Sequence, residues 1–271
     1  MTTPTVVATA NVHWRLPAGS ARRALEDVLD QGPDLVGLQE WGLSRLRLLR
    51  ETGSVGLVPD LGIRLPCSIG GRASGYTWSA PVLGGCPVGA RADRFQLTGC
   101  RWVVLSGAGR AARSDQRFRL RRARLATVAT YRDLRAERPV SVVCYHLTPG
   151  VQALGRYRED RPQVVARHRQ EVRRLQDLVD ALLARGHDVH ALGDSNLDGF
   201  RLRGLTSAWQ GREDEPGTLG AHRKVDDVHS SVGRAIAVTR LTSDSDHQAV
   251  IVNVRRTSST PGDNRRPSGG D

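Results

Sequence analysis

One stretch constrains the fold of this chain more than any other: Asp188-Val189-His190-Ala191-Leu192-Gly193-Asp194-Ser195-Asn196-Leu197-Asp198-Gly199. It opens as a short apolar strand that can run into a core, and it closes as a polar turn. Gly193 at the junction lets the backbone turn or approach a neighbour closely. Asp194 and Asn196 stand two apart, so in extended chain they point to the same side. Two readings fit. A carboxylate and an amide at a strand end can orient a water and hold a phosphate oxygen. They can equally form an Asx-turn that satisfies backbone groups.

A long amphipathic segment stands directly before this strand. In Gln163–Arg185, Val165, Val172, Leu175, Leu178, Val179, Leu182 and Leu183 trace one apolar stripe, and Gly186 follows as a C′ residue. A similar order opens the chain. Thr5–Val12 predicts a buried strand, Ser20 caps a helix over Ala21–Asp30, and Asp34–Gln39 predicts a second strand delivering Glu40-Trp41. Strand, helix, strand in each half indicates an α/β protein.

Between these halves the pattern is less regular. Leu43–Arg50 predicts a short basic helix. Gly53–Gly99 is rich in Gly and Pro and predicts loops with short edge strands. Arg101–Ser106 predicts a strand, and Gly107–Asp115 a basic loop. Phe118–Tyr131 predicts a strand with one arginine-bearing face, joined as a hairpin to a strand over Pro139–His146. Beyond the central turn, Phe200–Trp209 predicts a short helix. Val225–Ser231, Ala235–Leu241 and Gln248–Val254 predict closing strands. Residues 1–256 form one domain on this reading, and the Ser-, Pro-, Gly- and Arg-rich residues 257–271 a disordered tail.

Composition narrows the function classes. The 271 residues suffice for a sizeable core. The formal net charge of +12 and a pI near 10.9 favour polyanions: nucleic acid, phospholipid surfaces or phosphorylated small molecules. Lys224 is the only lysine, and such arginine usage is also what a GC-rich coding bias produces, so part of the charge is background. Cys67, Cys86, Cys100 and Cys144 include no C-x-x-C spacing, which excludes a zinc ribbon or a thioredoxin-like motif. Cys67 and Cys86 can pair in an oxidising compartment; free, buried thiols in a cytoplasmic protein are the expectation. No apolar run approaches the roughly 20 residues of a membrane span, and no secretory leader pattern opens the chain.

The polar clusters fall at the ends of predicted strands: Asn11, Glu40, His146, Asp194 with Asn196, Asp226, and Asp246 with His247. If such ends converge on one rim, carboxylates plus an amide form a hard, oxygen-rich site for magnesium or manganese. Histidines beside them suit phosphate binding or proton transfer. Taken singly, each residue fits a solvated strand end or a turn; their order and spacing together carry the signal.

That joint pattern resembles the endonuclease/exonuclease/phosphatase superfamily, whose members include DNase I-like nucleases, AP endonucleases, sphingomyelinases and inositol polyphosphate phosphatases. Ala10-Asn11-Val12 resembles the first motif of the family, and Leu38-Gln39-Glu40 its metal-binding glutamate motif. Trp102–Ser106 resembles the central strand, and Tyr145-His146-Leu147 the strand-end histidine motif. Gly193-Asp194-Ser195-Asn196 resembles G-D-x-N, Val225-Asp226-Asp227-Val228 resembles I-D-x-V, and Ser245-Asp246-His247 the terminal S-D-H. The resemblance covers Val6 to Val254.

The resemblance implies a four-layer α/β sandwich of two packed mixed sheets flanked by helices, and a hydrolase of phosphate esters using Mg2+ or Mn2+; a monomer is the expectation, although the sequence carries no signal of oligomeric state. It implies that Glu40, helped by Asn11, anchors the metal. Asp194 orients the attacking water and Asn196 holds the scissile phosphate. His247, oriented by a carboxylate such as Asp246, and His146 contact the phosphate from two sides. Asp226 falls on the metal or on a histidine, and Arg122 or Arg124 can reach the phosphate. AP endonucleases carry Tyr where His146 stands, so the chain leans to the DNase I, sphingomyelinase and phosphatase branch. Tyr145 and Asp227 depart from the family pattern without removing a catalytic group. Three readings remain at this stage: a phosphodiesterase or nuclease, a phosphomonoesterase acting on a phosphorylated lipid or sugar, and a catalytically silent polyanion-binding protein.

Overall fold

The computed structural model describes residues 4–58, 75–82, 85–110, 120–220 and 222–256. In chain order the strands are β1 (Thr5–Asn11), β2 (Leu35–Gln39), β3 (Gly53–Val58), β4 (Tyr76–Pro81), β5 (Val88–Arg91), β6 (Phe95–Ser106), β7 (Gly109–Arg110), β8 (Leu120–Arg121), β9 (Arg124–Asp133), β10 (Arg138–His146), β11 (Gln152–Ala153), β12 (Arg156–Tyr157), β13 (Asp188–Asp194), β14 (Thr206–Ser207), β15 (Asp226–Ser230), β16 (Gly233–Leu241) and β17 (Ala249–Arg256). The α-helices are α1 (Ala18–Leu29), α2 (Leu46–Thr52) and α3 (Pro162–Leu183), and a 3-10 turn, Leu43–Arg45, leads into α2.

Two mixed sheets pack face to face. One runs β16-β17-β1-β2-β5-β4-β3 and the other β14-β15-β13-β10-β9-β6. Period-2 alternation divides each strand between two cores. Val7, Leu35, Val142, Cys144, Leu192, Val228, Val250 and Val252 meet between the sheets. Ala8, Ala10, Val36 and Leu38 face outward onto α1 and α2, and Val143, Tyr145, Val189 and Ala191 face outward onto α3. The result is the expected four layers: helix, sheet, sheet, helix.

Both strand–helix–strand units are present, and each forms a parallel pair. The β1–β2 pair registers Asn11 opposite Gln39, and the β10–β13 pair registers His146 opposite Asp194. The four carboxyl ends therefore reach one rim. At the far end of the sandwich Arg94 ties the sheets together. Its Nη1 donates to Asp34 Oδ2 at 2.6 Å and its Nη2 to Asp133 Oδ2 at 3.2 Å.

Several expectations need correction. The first helix begins at Ala18 behind Pro17, not at Ala21, so Ser20 lies inside it, where its Oγ accepts from Arg23. Residues 200–209 do not form a helix. Phe200 and Leu202 are drawn into the core beneath α3, Gly204 takes a positive φ, and Thr206–Ser207 pair with β15. In the Gly- and Pro-rich region β4 and β5 are interior strands, while β3 and β6, which starts at Phe95, lie at sheet edges. Gly89 of β5 sits under the Trp78 ring, where a Cβ would come within 2.6 Å of it, so the glycine is a packing requirement rather than a loop signal. The β9 strand has no arginine-bearing face. Ala126 and Val128 pack toward α3 and Ala129 and Tyr131 between the sheets, and arginines occupy only its ends.

Cys86 and Cys144 are free, buried thiols, whereas Cys67 and the tail 257–271 lie outside the described residues. Among the described residues no helix is long and apolar enough to cross a membrane.

Candidate active site

The inward-facing rows of the inter-sheet core continue into the rim as polar residues. Val142-Cys144 is followed two residues on by His146, Leu192 by Asp194, and Val7-Thr9 by Asn11; Val228 is preceded by Asp226. Alternation thus aims all four side chains into one cleft mouth. Register places them abreast, since His146 is opposite Asp194 and Asp194 is opposite Asp226 on three neighbouring strands.

Asp194 is the hub. Its Oδ2 accepts from Asn11 Nδ2 at 3.1 Å and from Asn196 Nδ2 at 3.0 Å, and it lies 3.4 Å from His146 Nε2 and 4.0 Å from His247 Nε2. Its Oδ1 accepts the Asn196 backbone N–H at 2.7 Å. The Asx-turn reading of this stretch is therefore correct, and the turn is what arms the cleft. Asn196 is held in the left-handed region, with φ 54, and its amide also donates to the Leu147 carbonyl at 3.1 Å. Burial, reinforced by the negative charge of Asp226, raises the Asp194 carboxyl to about 7.

The two histidines are driven apart. Burial, then the charges of Arg124 and His247, push His146 well below the usual imidazole range. His247 resists the same burial. Its Nδ1–H donates to Asp226 Oδ2 at 2.7 Å, and that bond, with the charges of Asp226, Asp194 and Asp246, raises the group to about 9. Asp226 is thus the carboxylate on His247. Asp246 is exposed and its oxygen lies 3.5 Å from Ser245 Oγ.

Glu40 follows β2 with φ 58, the left-handed region that L residues rarely adopt, and it turns its carboxylate back over the cleft. Oε2 accepts the Trp14 backbone N–H at 2.9 Å, and Oε1 lies 4.0 Å from His146 Nε2. Arg124, the first residue of β9, is close enough for its charge to act on both His146 and Asp194, while Arg122 is exposed.

Hard oxygen donors for a divalent cation are present. Asn11 Oδ1 and Asp226 Oδ1 are buried without a hydrogen-bond partner, and ligand atoms of Asp194, Asp226 and His247 lie within 4.8 Å of one another. The donor set fits magnesium or manganese.

A second tier of residues lies beneath the rim on α3. Glu171 is fully buried. It accepts from Ser106 Oγ (2.6 Å), from the Thr148 N–H and Oγ (both 2.7 Å) and from Arg167 Nε (3.0 Å). His168 Nε2 donates to the Ser195 carbonyl at 2.8 Å. These bonds fix the segments that follow His146 and Asp194. Sequence reasoning missed them, although both residues sit at positions where the helical stripe from Val164 and Val165 to Leu175 should be apolar.

The sequence matches no protein-family model and no curated protein. Solved structures do match. An endonuclease/exonuclease/phosphatase from Bacteroides vulgatus superposes with a TM-score of 0.62 at 15% identity, covering 94% of this chain and 100% of that one. The fold is that of the endonuclease/exonuclease/phosphatase superfamily. Within it, the human nocturnin catalytic domain with bound sulfate matches at TM-score 0.58 and 18% identity, over 95% of this chain and 96% of its own. A Bacteroides thetaiotaomicron mannosyl-6-phosphatase matches at TM-score 0.59 and 15% identity, over 93% and 99%. Humanised D. rerio TDP2 matches at TM-score 0.61 and 12% identity, over 94% and 100%. In this fold the polar residues of the candidate site lie at strand ends.

Proposed function

We propose that this chain is a metal-dependent phosphodiesterase, most consistent with a nuclease, that cleaves a P–O bond by in-line attack of water. The observation that carries the reading is the placement of Asp194 3.4 Å from His146, whose burial favours the neutral ring, and 4.0 Å from His247, whose bond to Asp226 favours the charged one. Environments that push two titratable groups apart are a common basis for dividing acid, base and electrostatic roles.

On this reading Asp194 orients the attacking water and accepts its proton, which a carboxyl raised to about 7 does near neutral pH. Asn196, fixed by the Asx-turn, presents its amide to the phosphate. His247, held charged by Asp226, donates to a phosphate oxygen as negative charge builds there. His146 donates from the opposite side. Asp246, at the edge, adds its charge to hold the His247 proton. Glu40 and Asn11 Oδ1 would hold Mg2+ or Mn2+, with Asp226 Oδ1 facing the same mouth. The bound ion supplies Lewis-acid neutralisation of the phosphate charge.

The diagnostic experiment compares bis(p-nitrophenyl) phosphate with p-nitrophenyl phosphate, with magnesium, with manganese and with EDTA, for wild type and Asp194→Ala. Metal-dependent diester cleavage that is lost in the variant is the expected result. Cleavage of the monoester alone would replace this reading with a phosphomonoesterase, in line with the likeness to a mannosyl-6-phosphatase. Unchanged activity in Asp194→Ala would overturn the site assignment.

A further inference from the structure

Trp14 is the most exposed tryptophan among the described residues. Trp41, Trp78 and Trp209 are buried at 2%, 0% and 1% exposure, Trp102 is half-buried, and Trp14 is 63% exposed. An exposed indole in a flexible loop would need no explanation, but this one is fixed on both sides. Its backbone N–H donates to Glu40 Oε2 at 2.9 Å. The preceding N–H, of His13, donates to Ser245 Oγ at 3.2 Å, and that hydroxyl donates to the Asn11 carbonyl at 2.7 Å. Arg45 lies buried beneath the loop. It donates to the carbonyls of Val12 (2.7 Å), His13 (2.9 Å) and Leu16 (3.0 Å).

The loop is therefore clamped to Asn11 and Glu40, the two residues given above to the metal, and the Trp14 backbone borders the cleft. Arg15 places its guanidinium 4.9 Å from the centre of the indole ring. A large flat apolar face and a cation together suit a ligand that is itself flat at one point and anionic at the next.

We infer that Trp14 is the stacking platform for an unpaired base beside the scissile phosphate of a single-stranded nucleic acid, with Arg15 meeting the neighbouring backbone charge. The inference rests on the phosphodiesterase reading for the identity of that phosphate. Single strands are favoured because a duplex keeps its base faces inside its own stack, whereas an exposed aromatic can stack only on a base face that is free. A lipid headgroup offers a phosphate but no flat face. The formal charge of +12 supports a polyanion over a small ester.

The test uses Trp14→Ala and Trp14→Phe in the full chain. Binding of a short fluorescein-labelled oligothymidylate is measured by anisotropy in EDTA, beside a strand of tetrahydrofuran abasic analogues of the same length. Stacking on one base is worth about 1–3 kcal/mol, so the alanine variant should bind oligothymidylate about 5- to 150-fold more weakly. The abasic strand should bind all three proteins alike, and phenylalanine should restore most of the loss. Equal affinity of wild type and Trp14→Ala for oligothymidylate overturns the platform. So does an equal loss on both strands, which would mark a contact to the backbone or a disturbed loop. A loss confined to a sugar phosphate tested alongside would give the indole a sugar face and overturn the base. Base-dependent binding by a protein with no diesterase activity would sink the hydrolase reading and keep the platform. Diesterase activity with binding indifferent to Trp14 would do the reverse.

Discussion

The bond between His247 and Asp226 permits a quantitative test. Replacing Asp226 with Asn keeps the size of the side chain and removes its charge. In the wild type, burial works against the imidazolium, and the 2.7 Å bond and charge of Asp226 outweigh it, so the group titrates at about 9. Without that charge, burial should bring the group to the ordinary imidazole value of about 6.5 or below it. The change of roughly 2.5 units corresponds to about 3 kcal/mol between the two protonation states. At pH 7.5 the wild-type imidazole is almost fully protonated, and the variant carries roughly a tenth of a proton or less. If the charged His247 donates to the phosphate, turnover of bis(p-nitrophenyl) phosphate should fall about 10²- to 10³-fold, the scale of losing one preorganised donor. The residual rate should rise as the pH is lowered toward 6. Stability follows the same linkage. A histidine raised in the folded state contributes fully below 6.5 and loses that contribution as the pH climbs through 9, so Asp226→Asn should flatten this alkaline decline. NMR titration of His247 in metal-free protein, with pH–rate and urea-unfolding profiles, reads each quantity. A variant whose His247 still titrates near 9, or whose turnover at pH 7.5 equals wild type, would refute the reasoning.

Three further outcomes follow from the same structure. Glu171→Ala strips the acceptor from Ser106, Thr148 and Arg167 and should destabilise the fold by about 3–5 kcal/mol in urea; a loss below about 1 kcal/mol would contradict its role as a buried anchor. Gly193→Ala puts a Cβ within 2.0 Å of the Tyr145 carbonyl oxygen, at a φ of 154, across the parallel pair that sets His146 beside Asp194; thermal unfolding should show a sharply lowered melting temperature or no folded protein, and an unchanged one would contradict the geometry. His190 is held near 4, chiefly by burial, so the stability it permits is present above about 6.5 and is lost as the pH falls through 4, by up to about 3 kcal/mol; in His190→Leu, unfolding measured at pH 7 and at pH 4.5 should show a correspondingly smaller acid loss, and an undiminished one would assign the acid sensitivity elsewhere.

Much of this site was legible because strand alternation is local information. Asn11, His146, Asp194 and Asp226 each extend an inward-facing apolar row, and a period of two is visible without knowing the partner strand. Their convergence required the two parallel strand–helix–strand units, which the order of elements also carried. Long-range pairing was not legible. Nothing local distinguishes Asp246 from Asp226 as the partner of His247; the choice is made by a hydrogen bond between residues separated by 21 positions. Nor did β4 and β5 stand out, because strands of six and four residues are too short to establish a period. In α3 the signal was present but reads two ways. His168 and Glu171 lie among Arg167, Arg169, Gln170, Arg173 and Arg174, as residues of a solvated face would, and only the stripe they interrupt marks them as buried.

The site also explains where the fold accepts local conflict. Two of the four non-glycine residues with positive φ among the described residues, Glu40 and Asn196, end strands at this rim. Each such conformation costs on the order of 1–3 kcal/mol and persists only where its surroundings impose it. Here they do: Glu40 is fixed by the Trp14 N–H, and Asn196 by both oxygens of Asp194 and the Leu147 carbonyl. The same rim buries Asp194 beside Asp226 and leaves Asn11 Oδ1 and Asp226 Oδ1 without partners, arrangements that a protein selected for stability alone would replace with apolar side chains. Buried unsatisfied oxygens and crowded carboxylates become favourable once positive charge and hydrogen-bond donors enter the cleft. The strain and the electrostatics therefore point to the same kind of occupant: a cation held by oxygens, and an anionic ligand held between two histidines.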